Sequence, residues 1–573
     1  MSVYSDKPWM DEYKLGPFKL DQSMEPYPEV PLFKFLDETV EKYPKRPACT
    51  YMGKKTTWEE LKTYVDSLAA ALADLGAVKG GKIATILPTC PQFIISDYAI
   101  MKTGSAHVPC SVLHKGRDLI YEIGESGAET IICLDSTLDL ILSIKDQTKL
   151  KNIIITSIKD FSSDEDELKQ IPGAIQLRDL IAGYDPSPPL VEIDPKEDLA
   201  ELVFTGGATG RPKGVMLTHY NLVANTLQSL PWVLGPLGKG IKGKSSLLIG
   251  IPTFHSYGHW TIRAAVYWGL QMLLLPDARD TDTIIEYLKK NRPFMAPLVP
   301  TQYMRLVEKK IGRTNVTFAS GAAPLPKKVK DDFRKETGMP ITEAYGLTET
   351  SPVTHFNLSS FAKITGYMPF EKEGSIGVPI VDTESKVIDK ISGKEVSQGE
   401  VGELYVRGPQ VMKGYWPNPG DGLDDGWLPT GDLCRMDEDG YFYLVDRDKD
   451  MVNVSGNKVY TTTIDTVLFD HPSVANAVAI GIPDPDRVGS ERLKAFVVLK
   501  DHYKGKVTPD DIIAYCRENL APYAVPKSVE IRDSLPLTVT EKLFKKQLRD
   551  EEIRKQQAQS NDAQYVNHTR STQ

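Results

Sequence analysis

A glycine-rich stretch at residues 205–214 has the composition of a loop that wraps a polyphosphate. It reads Thr-Gly-Gly-Ala-Thr-Gly-Arg-Pro-Lys-Gly and lies between two apolar runs. Glycine lets backbone N–H groups turn inward without steric cost, and such groups form a concave anion-binding site. The hydroxyls of Thr205 and Thr209 add donors, and Lys213 adds a point charge. The stretch predicts phosphate binding, with an ordinary glycine-rich β-turn as the alternative.

Three later segments carry groups that a bound nucleotide would need. Residues 342–349 combine an aromatic ring, hydroxyls and a carboxylate, and a carboxylate near a triphosphate makes sense only as a magnesium ligand. Residues 430–432, Thr-Gly-Asp, place a carboxylate after a tight turn, where it can accept from two ribose hydroxyls. Residues 446–450 alternate in charge, and Lys542 lies near the C-terminus. Taken singly, each has an ordinary explanation as a turn, a solvated face or a surface lysine.

In this order and spacing, the segments resemble the adenylate-forming superfamily of acyl-CoA synthetases, luciferases and peptide-synthetase adenylation domains. The resemblance extends from about Leu32 to about Arg549, and fatty-acid CoA ligases are the most similar branch. Besides the phosphate loop, the motifs that carry it are residues 320–325, 345–349, 374–377, 402–404, 430–432 and 446–456.

The resemblance implies a nucleotide site that holds ATP and Mg²⁺. Its phosphate-binding residues would be Thr205, Gly206, Gly207, Thr209, Gly210 and Lys213. Its remaining nucleotide contacts would be Gly321, Ala322, Ala323, Glu343, Tyr345, Gly346, Thr348, Asp432, Arg447, Ser455 and Gly456. Within this set Tyr345 would stack on adenine, with Glu343 near its exocyclic amine, and Asp432 would take the ribose hydroxyls. Glu349 and Thr205 would ligate the metal ion.

The resemblance also implies how catalysis proceeds. The catalytic residues would be Lys542, Thr205, Glu349 and His255. Lys542 would bridge the substrate carboxylate and the α-phosphate, because cations at that point stabilise the transition state more than the ground state. The thiolate of coenzyme A then attacks the mixed anhydride and AMP leaves. In the family the small C-terminal domain rotates about a hinge between the two steps, and Asp448 occupies the hinge position.

The expected activity is therefore that of an ATP-dependent carboxylate–CoA ligase acting on a small-molecule carboxylic acid. Residues 252–258 resemble the border of the acyl pocket, and His255 stands where peptide-synthetase domains place an aspartate. A fatty or other hydrophobic acid is expected. The alternatives are a cyclic or aromatic acid, an enzyme that runs in the ATP-forming direction, and a catalytically silent acyl or adenylate sensor.

Four positions depart from the family pattern. Ala208 replaces a hydroxyl residue in the phosphate loop, and Thr461 and Thr463 stand where proline and glutamate are common. Glu541 replaces the glycine before Lys542, which adds a carboxylate beside the lysine and stiffens its loop. These changes motivate the ATP-forming and sensor alternatives.

Composition excludes several other classes. A net charge of −9 over 573 residues and a pI near 5.7 argue against a nucleic-acid partner. The six cysteines form no CxxC pair, which indicates reduced thiols in a cytoplasmic protein. No apolar run approaches the roughly 20 residues that span a bilayer. Peripheral membrane contact and the choice between monomer and homodimer stay open.

The patterning predicts an α/β fold of two domains. Thr57 to Glu60 is a capping box, and a helix-then-strand alternation up to about residue 355 predicts parallel sheets covered by helices. A β-rich lobe is expected at about 374–447, within an N-terminal adenylation domain of residues 1–447 that has two α/β subdomains. After the hinge at Asp448 a small, mobile α+β lid domain covers 449–573, with a disordered tail at about 556–573.

Two apparent motifs are rejected. Residues 238–245 match the GxxxxGK[ST] pattern of P-loop nucleotidases, but a proline-containing segment precedes them and a strand-like run follows, the wrong context for that motif. His255 and His259 are four residues apart without the glutamate or third ligand of a zinc site.

Overall fold

The computed structural model describes residues 3–15, 18–165, 171–205, 212–235, 238–357, 372–455, 457–485, 487, 490–538 and 543–570.

The strands alternate with helices over the first two thirds of the chain. In chain order they are β1 Lys14–Leu15, β2 Phe18–Lys19, β3 Pro47–Tyr51, β4 Lys54–Thr57, β5 Lys82–Ile86, β6 Ala106–Pro109, β7 Thr130–Leu134, β8 Asn152–Thr156, β9 Ile175–Gln176, β10 Leu199–Thr205, β11 Lys213–Thr218, β12 Ser246–Ile249, β13 Gln271–Leu274, β14 Met295–Leu298, β15 Thr317–Ser320, β16 Ile341–Gly346, β17 Val353–Asn357, β18 Val378–Pro379, β19 Glu384–Ile388, β20 Gly402–Arg407, β21 Gly414–Tyr415, β22 Leu428–Met436, β23 Phe442–Arg447, β24 Val452–Val454, β25 Asn457–Val459, β26 Val474–Pro483, β27 Glu491–Leu499 and β28 Ser528–Ile531.

The α-helices of the described ranges cover the large sheets and pack on both faces of the small C-terminal sheet. They are α1 Lys34–Lys42, α2 Trp58–Asp74, α3 Pro91–Lys102, α4 Arg117–Ser126, α5 Leu138–Ile144, α6 Leu177–Gly183, α7 His219–Leu234, α8 Gly238–Ile241, α9 Ser256–Trp268, α10 Thr281–Lys290, α11 Pro300–Glu308, α12 Lys327–Thr337, α13 Thr461–Asp470, α14 Pro509–Asn519 and α15 Lys545–Arg570.

Two large, mainly parallel sheets form the N-terminal part of the molecule. The eight-stranded sheet has the order β21-β11-β10-β6-β5-β7-β8-β9, and the nine-stranded sheet has the order β18-β17-β16-β15-β14-β12-β13-β3-β4. Antiparallel pairs occur only toward their edges, at β10–β11–β21, β16–β17–β18 and β3–β4. Helix α9 lies between these layers and is almost entirely buried. The predicted α/β class is confirmed.

Two smaller sheets follow. Strands β19, β20, β22 and β23 form a four-stranded antiparallel sheet inside the region predicted to be β-rich. After it, β26 pairs antiparallel with β27, β27 pairs parallel with β28, and α13 and α14 pack on this three-stranded sheet. The strands and the helix predicted at 473–482, 492–500 and from Thr508 all form, with bounds shifted by one or two residues.

Local sequence signals account for where the elements start and stop. Thr57 caps α2 in a complete capping box: its side chain accepts from the Glu60 backbone N–H while the Glu60 carboxylate accepts from the Thr57 N–H. The helix ends at Asp74, and Gly76 follows with a φ of +95° that glycine adopts without strain. The alternation of helix and strand predicted from such signals is confirmed here.

The topology places the predicted motifs at the carboxyl ends of strands. The phosphate loop follows β10, residues 321–323 follow β15, and residues 347–351 follow β16. Ligands in open α/β sheets bind at the carboxyl ends of the strands. Strands β15 and β16 are parallel neighbours in the nine-stranded sheet, so residues 321–323 and 347–351 lie at one edge of it, whereas β10 belongs to the eight-stranded sheet.

Two segments bear on the sequence predictions. Residues 238–245 follow helix α7 and precede strand β12, the reverse of a P-loop context, so their lysines belong to a helix–strand connection. Helix α15 runs to Arg570, through the tail predicted to be disordered from Gln556. The Gln, Ala and Arg residues of this tail have high intrinsic helix propensity, and the disorder expected from its low apolar content stays a prediction.

The capping box of α2 provides a test of this local reading. We expect Thr57→Ala to lower the free energy of unfolding by about 1 kcal/mol, because the Glu60 N–H loses its acceptor. The midpoint of urea-induced unfolding measures this loss. Thr63→Ala, which removes an exposed hydroxyl from the interior of the same helix, is the control; equal midpoints for the two variants would contradict the assignment.

Candidate active site

The ends of the phosphate loop are held by a β-hairpin. Thr205 is the last residue of β10 and pairs with Lys213, the first residue of β11. The ladder continues into the edge strand β21 through Val215 and Tyr415. The structure thus fixes both ends of the loop side by side. The predicted phosphate ligands Gly206, Gly207, Thr209 and Gly210 lie outside the described residues, as do Ala208, Gly456, Glu541 and Lys542.

Tyr415 contacts both Glu349 and Lys213. The Tyr415 hydroxyl donates to Glu349 Oε1 at 2.9 Å, and Lys213 Nζ lies 4.4 Å from the centroid of the Tyr415 ring. Burial and the neighbouring carboxylate raise the pKa of Tyr415 far above its usual value, so the phenol stays a donor. The Glu349 carbonyl also accepts from the Met412 N–H at 2.8 Å, which fixes the backbone at this point. A carboxylate and a cation are therefore held beside the base of the phosphate loop.

Glu349 lies in the 3₁₀ turn Thr348–Thr350 that follows β16. Its carboxylate and the Thr205 hydroxyl, at the end of β10, are oxygen donors, the kind of ligand that Mg²⁺ selects. The donor set fits the metal that the sequence predicted.

Thr348 joins this turn to helix α9. The hydroxyls of Thr348 and Ser256 lie 3.2 Å apart, and both side chains are buried. His255 is the N-cap of α9, and its Nδ1 accepts from the Tyr257 N–H at 3.3 Å. The contact joins residues 252–258, the segment predicted to border the acyl pocket, to residues 348–351, the turn that carries the predicted magnesium ligand Glu349. We call residues 348–351 the magnesium turn.

The proposed ribose site is built around a buried carboxylate. Asp432 is 4% exposed, and its Oδ2 accepts from the Tyr345 hydroxyl at 2.7 Å. Arg447 Nε lies 3.2 Å from Asp432 Oδ1, and the two residues are also backbone partners in the β22–β23 ladder. Burial raises the pKa of Tyr345 well above its usual value, and the Asp432 charge adds to this effect. The structure brings three predicted nucleotide ligands into one chain of contacts.

Close packing explains the small residues of the adenine segment. A Cβ on Gly346 would lie 1.8 Å from the Pro352 carbonyl oxygen, so no larger residue fits there. A Cβ on Gly321 would lie 3.1 Å from the Tyr257 ring. Ala322 has a φ of +72°, which turns the chain sharply after β15. Residues Gly321 to Ala323 and β16 are neighbours because Ser320 pairs with Glu343.

Glu343 has a protein partner that the sequence did not indicate. Lys330 Nζ, on α12, donates to Glu343 Oε1 at 2.9 Å. Burial nevertheless raises the pKa of the Glu343 carboxyl, because desolvation outweighs the attraction of Lys330. Its expected place near the adenine amine stays a prediction.

The predicted hinge residue makes only an exposed contact. Asp448 opens the 3₁₀ turn Asp448–Asp450, and its Oδ2 lies 3.0 Å from Lys390 Nζ of the lobe. Ser455, in the connection between β24 and β25, has a φ of +51° and accepts from Arg487 at 2.7 Å. Ser455 therefore lies apart from the Tyr345–Asp432 contacts, and its predicted nucleotide role is untested by this geometry.

Thr461, one of the departures from the family pattern, is fully buried and bonded. Its hydroxyl donates to Asp446 Oδ2 at 2.9 Å and accepts from Lys545 Nζ at 2.7 Å. Lys545 also donates to Asp465 Oδ2 at 2.9 Å. These contacts join parts of the chain on the two sides of Asp448, because Asp446 precedes it and Thr461 and Lys545 follow it. Thr463 is exposed on α13, and nothing in the structure explains why it departs from the pattern.

Sequence reasoning missed Tyr415, Lys330 and Lys545. Each acts through a contact between segments far apart in the chain, and none stands in a motif that the sequence marks. The rejected zinc pair is a different case. His255 caps α9 at a half-buried position, whereas His259 is fully buried and bonded to Asp97.

The site and fold are those of an AMP-binding enzyme. The family described as AMP-binding enzyme matches residues 36–416, and its C-terminal domain matches residues 463–542. The chain belongs to the adenylate-forming acyl-CoA synthetase family. It is an AMP-forming acyl-CoA synthetase, an acid–thiol ligase that uses ATP, Mg²⁺ and coenzyme A.

Individual relatives are similar over nearly their whole length. A long-chain-fatty-acid–CoA ligase of Bacillus subtilis (strain 168) is 34% identical, over 96% of this chain and 99% of the relative. A feruloyl-CoA synthase of an Amycolatopsis species is 30% identical, over 88% of this chain and 96% of the relative. The crystal structure of ATP-bound MatB from Rhodopseudomonas palustris matches with a TM-score of 0.79 at 26% identity, over 91% of this chain and 98% of that one.

None of the helices in the described ranges combines the length and the apolar character needed to cross a bilayer.

The buried carboxylate of the ribose site gives the first functional prediction. We expect Asp432→Asn to raise the KM for ATP by about 10- to 100-fold, because hydrogen bonds to a charged group contribute about 1.5–3 kcal/mol. Steady-state kinetics with ATP and with the acid as varied substrates measure the effect. Glu384→Gln, an exposed carboxylate of the same lobe that pairs with Arg407, is the control. An unchanged KM for ATP in Asp432→Asn would remove Asp432 from the nucleotide site.

Proposed function

We propose that this chain activates a long-chain fatty acid as its acyl-adenylate and transfers the acyl group to coenzyme A. The observation that carries the site assignment is a pair of contact sets that the chain joins through residues 345–349: Lys213 and Glu349 around Tyr415, and Tyr345 and Arg447 around Asp432. It gives the phosphates and the ribose of one ATP molecule complementary partners at the same edge of the two sheets.

The residues of this site have distinct parts in the adenylation step. Lys213 and the loop that it bounds hold the β- and γ-phosphates, and Thr348 contacts the α-phosphate. Asp432, held by Tyr345 and Arg447, accepts from the ribose hydroxyls and so fixes the direction of the nucleotide. Glu349 and Thr205 would hold Mg²⁺, which would neutralise part of the phosphate charge. Such preformed donors act where charge develops and need no reorganisation during the reaction.

In the displacement the acid carboxylate attacks the α-phosphorus, and the bond to pyrophosphate breaks. Lys542 bridges the two anions as they approach. In the second step the CoA thiolate attacks the acyl carbon, the thioester forms, and AMP leaves with the electrons of the broken C–O bond. Lys542 has no part in this second displacement. We therefore propose that residues 449 onward form a lid that turns at Asp448 between the steps.

The fatty acid is proposed from two observations. Relatives that are 34% identical over nearly the whole chain are named long-chain-fatty-acid–CoA ligases. Trp260 of α9 lines a small apolar cavity with Leu230, Val233 and Ala264. An aromatic acid is the second candidate, because a feruloyl-CoA synthase is 30% identical.

We also propose a cytoplasmic setting. All six cysteines are free and buried. Burial raises the pKa of several of these thiols, to about 12 for Cys49 and Cys90, which keeps them protonated and unreactive.

Lys542→Ala separates the two half-reactions. We expect this variant to lose adenylate formation by at least about 100-fold, because the cation that bridges the reacting anions is gone. Thioester formation from supplied acyl-adenylate and CoA should stay within about threefold of the unaltered chain. Pyrophosphate exchange measures the first step, and release of AMP from supplied adenylate measures the second.

Lys546→Ala, an exposed lysine four residues later, is the matched control. Equal loss of both steps in Lys542→Ala would contradict the two-state lid.

A panel of straight-chain and aromatic acids in the same assay identifies the substrate. Silence across the whole panel would favour the sensor.

A further inference from the structure

Five charged or titratable side chains form a continuous row inside the N-terminal domain. They come from four different elements, and each is 0% exposed: Asp97 of α3, His107 of β6, Glu201 of β10, and His259 and Arg263 of α9. Burying so many ionisable groups is costly unless they are paired. None of them is among the motifs that bind the substrates.

The contacts run from one large sheet toward the other. The Thr85 hydroxyl lies 2.8 Å from His107 Nε2, and His107 Nδ1 lies 2.8 Å from Asp97 Oδ1. Asp97 Oδ2 lies 2.8 Å from His259 Nε2. His259 Nδ1 lies 3.4 Å from Glu201 Oε2. Every carboxylate in the row has a nitrogen on at least one side.

Arg263 completes the row. Its Nη1 donates to Glu201 Oε1 at 2.8 Å, and its Nη2 donates to the Ser351 carbonyl oxygen at 2.9 Å. The row therefore ends on the backbone of the turn that carries Glu349.

Geometry determines which histidine carries the charge. A neutral imidazole has one N–H and one lone pair, so a ring whose two nitrogens both face carboxylates must donate from both. His259 is in that position: its Nε2 is in hydrogen-bond contact with Asp97, and its Nδ1 faces Glu201 at an ion-pair distance of 3.4 Å without hydrogen-bond geometry, so two carboxylates against one ring favour the imidazolium. His107 faces one carboxylate and one hydroxyl, which a neutral ring satisfies. Two anions and two cations then make the row neutral.

The groups packed around the row agree with this assignment. Burial alone would lower the pKa of His259, but Asp97 and Glu201 outweigh it and raise that pKa. Burial raises the pKa of the nearby Tyr98 phenol well above its usual value, so Tyr98 is neutral. His219 is also neutral, because burial lowers its pKa to about 4 and its Nδ1 accepts from the Leu32 N–H.

A metal ion is a weaker explanation for the same cluster. Asp97, His107 and His259 place three ligand atoms within 4.8 Å of one another. However, each Asp97 oxygen is already in hydrogen-bond contact with a ring nitrogen, and the guanidinium of Arg263 lies on the far side of His259 and Glu201. A bound cation would have to displace both histidine protons from Asp97.

The row ends at two segments of the candidate active site. Glu201 lies four residues before Thr205 on β10, the strand that leads into the phosphate loop. Ser351 closes the turn that carries Thr348 and Glu349, with a φ of +70°. Its hydroxyl donates to the Gln410 carbonyl at 2.9 Å, and Arg263 is a second side of the same anchor because it holds the Ser351 carbonyl oxygen.

We propose that Arg263 and Glu201, balanced by a protonated His259, are positioning residues that fix the magnesium turn relative to the phosphate loop during adenylate formation. Their effect on activity rests on the proposed roles of Glu349 and the 205–214 loop. The protonation of His259 does not rest on those roles and is measured separately.

The first test compares kinetic constants. We expect Arg263→Lys and Glu201→Gln to lower kcat for pyrophosphate exchange by about 30-fold or more, because small displacements of a catalytic constellation are costly. The Mg²⁺ concentration for half-maximal rate should rise by about tenfold, a change expected when the turn that holds its ligand is loosened. Thioester formation from supplied acyl-adenylate should change by less than about threefold.

Lys102→Met is the matched control. Lys102 ends the same helix as Asp97 and pairs with Asp66 at 2.6 Å, so its loss breaks a nearly buried ion pair away from the site. It should lower thermal stability and leave the Mg²⁺ dependence unchanged. If Arg263→Lys and Lys102→Met differ only in stability, the row is structural and the positioning role is overturned.

The second test uses the unaltered chain. Nitrogen NMR of ¹⁵N-histidine-labelled protein at pH 8 should give one buried imidazolium, absent in His259→Gln, while His219 and His355 give neutral rings. A neutral His259 at pH 8, or one equivalent of zinc in the purified protein, would overturn the charge assignment. If the unaltered chain exchanges no pyrophosphate yet shows the imidazolium, the proposed function fails and the charge assignment stands.

Discussion

Two anions that repel each other must be brought into contact by this chain, and that constraint orders its charged residues. The carboxylates that we propose face the nucleotide, Glu349 and Asp432, are each held by a tyrosine hydroxyl, at 2.9 and 2.7 Å. A phenol donates to a carboxylate without cancelling its charge, so the carboxylate keeps its capacity for a metal ion or a pair of hydroxyls. The cations come from elsewhere: Lys213 from a strand edge and Arg447 from the lobe.

The site depends on parts of the chain that do not share a sheet. Tyr345 belongs to the nine-stranded sheet, Asp432 to the four-stranded lobe, and Lys213 with Tyr415 to the eight-stranded sheet. Helix α9 lies among them, and Ser256 and Arg263 attach it to both sides of one turn. Because the attachments are buried hydrogen bonds, the loss of one partner leaves the other unsatisfied in a dry interior.

Much of this arrangement could be predicted from the sequence, because its signals are local. The Thr57 capping box, the helix–strand alternation and the ordered motifs determine the fold class and bring the candidate residues to one edge. Asp432 and Tyr345 could each be named in advance, but the hydrogen bond between them could not, since it joins positions 87 residues apart. Lys330, Tyr415 and Arg263 went unnoticed for the same reason. A lone lysine, tyrosine or arginine carries no signal until the fold supplies its partner. The rejected zinc pair shows the same limit of local sequence signals. His259 contacts Asp97 and Glu201, which are distant in sequence, rather than His255.

The bonds between Asp446 and Thr461 have a consequence for the order of events in turnover. Thr461, at a position expected from the sequence to depart from the family pattern, has a hydroxyl that is fully enclosed and shared between Asp446 and Lys545. A rotation of the last quarter of the chain about Asp448 would break these bonds. The exposed Lys390–Asp448 ion pair would contribute little to the energy cost of that rotation. In the rotation about Asp448 that we propose, breaking the buried bonds between Asp446 and Thr461 is therefore the step expected to limit the speed of domain exchange.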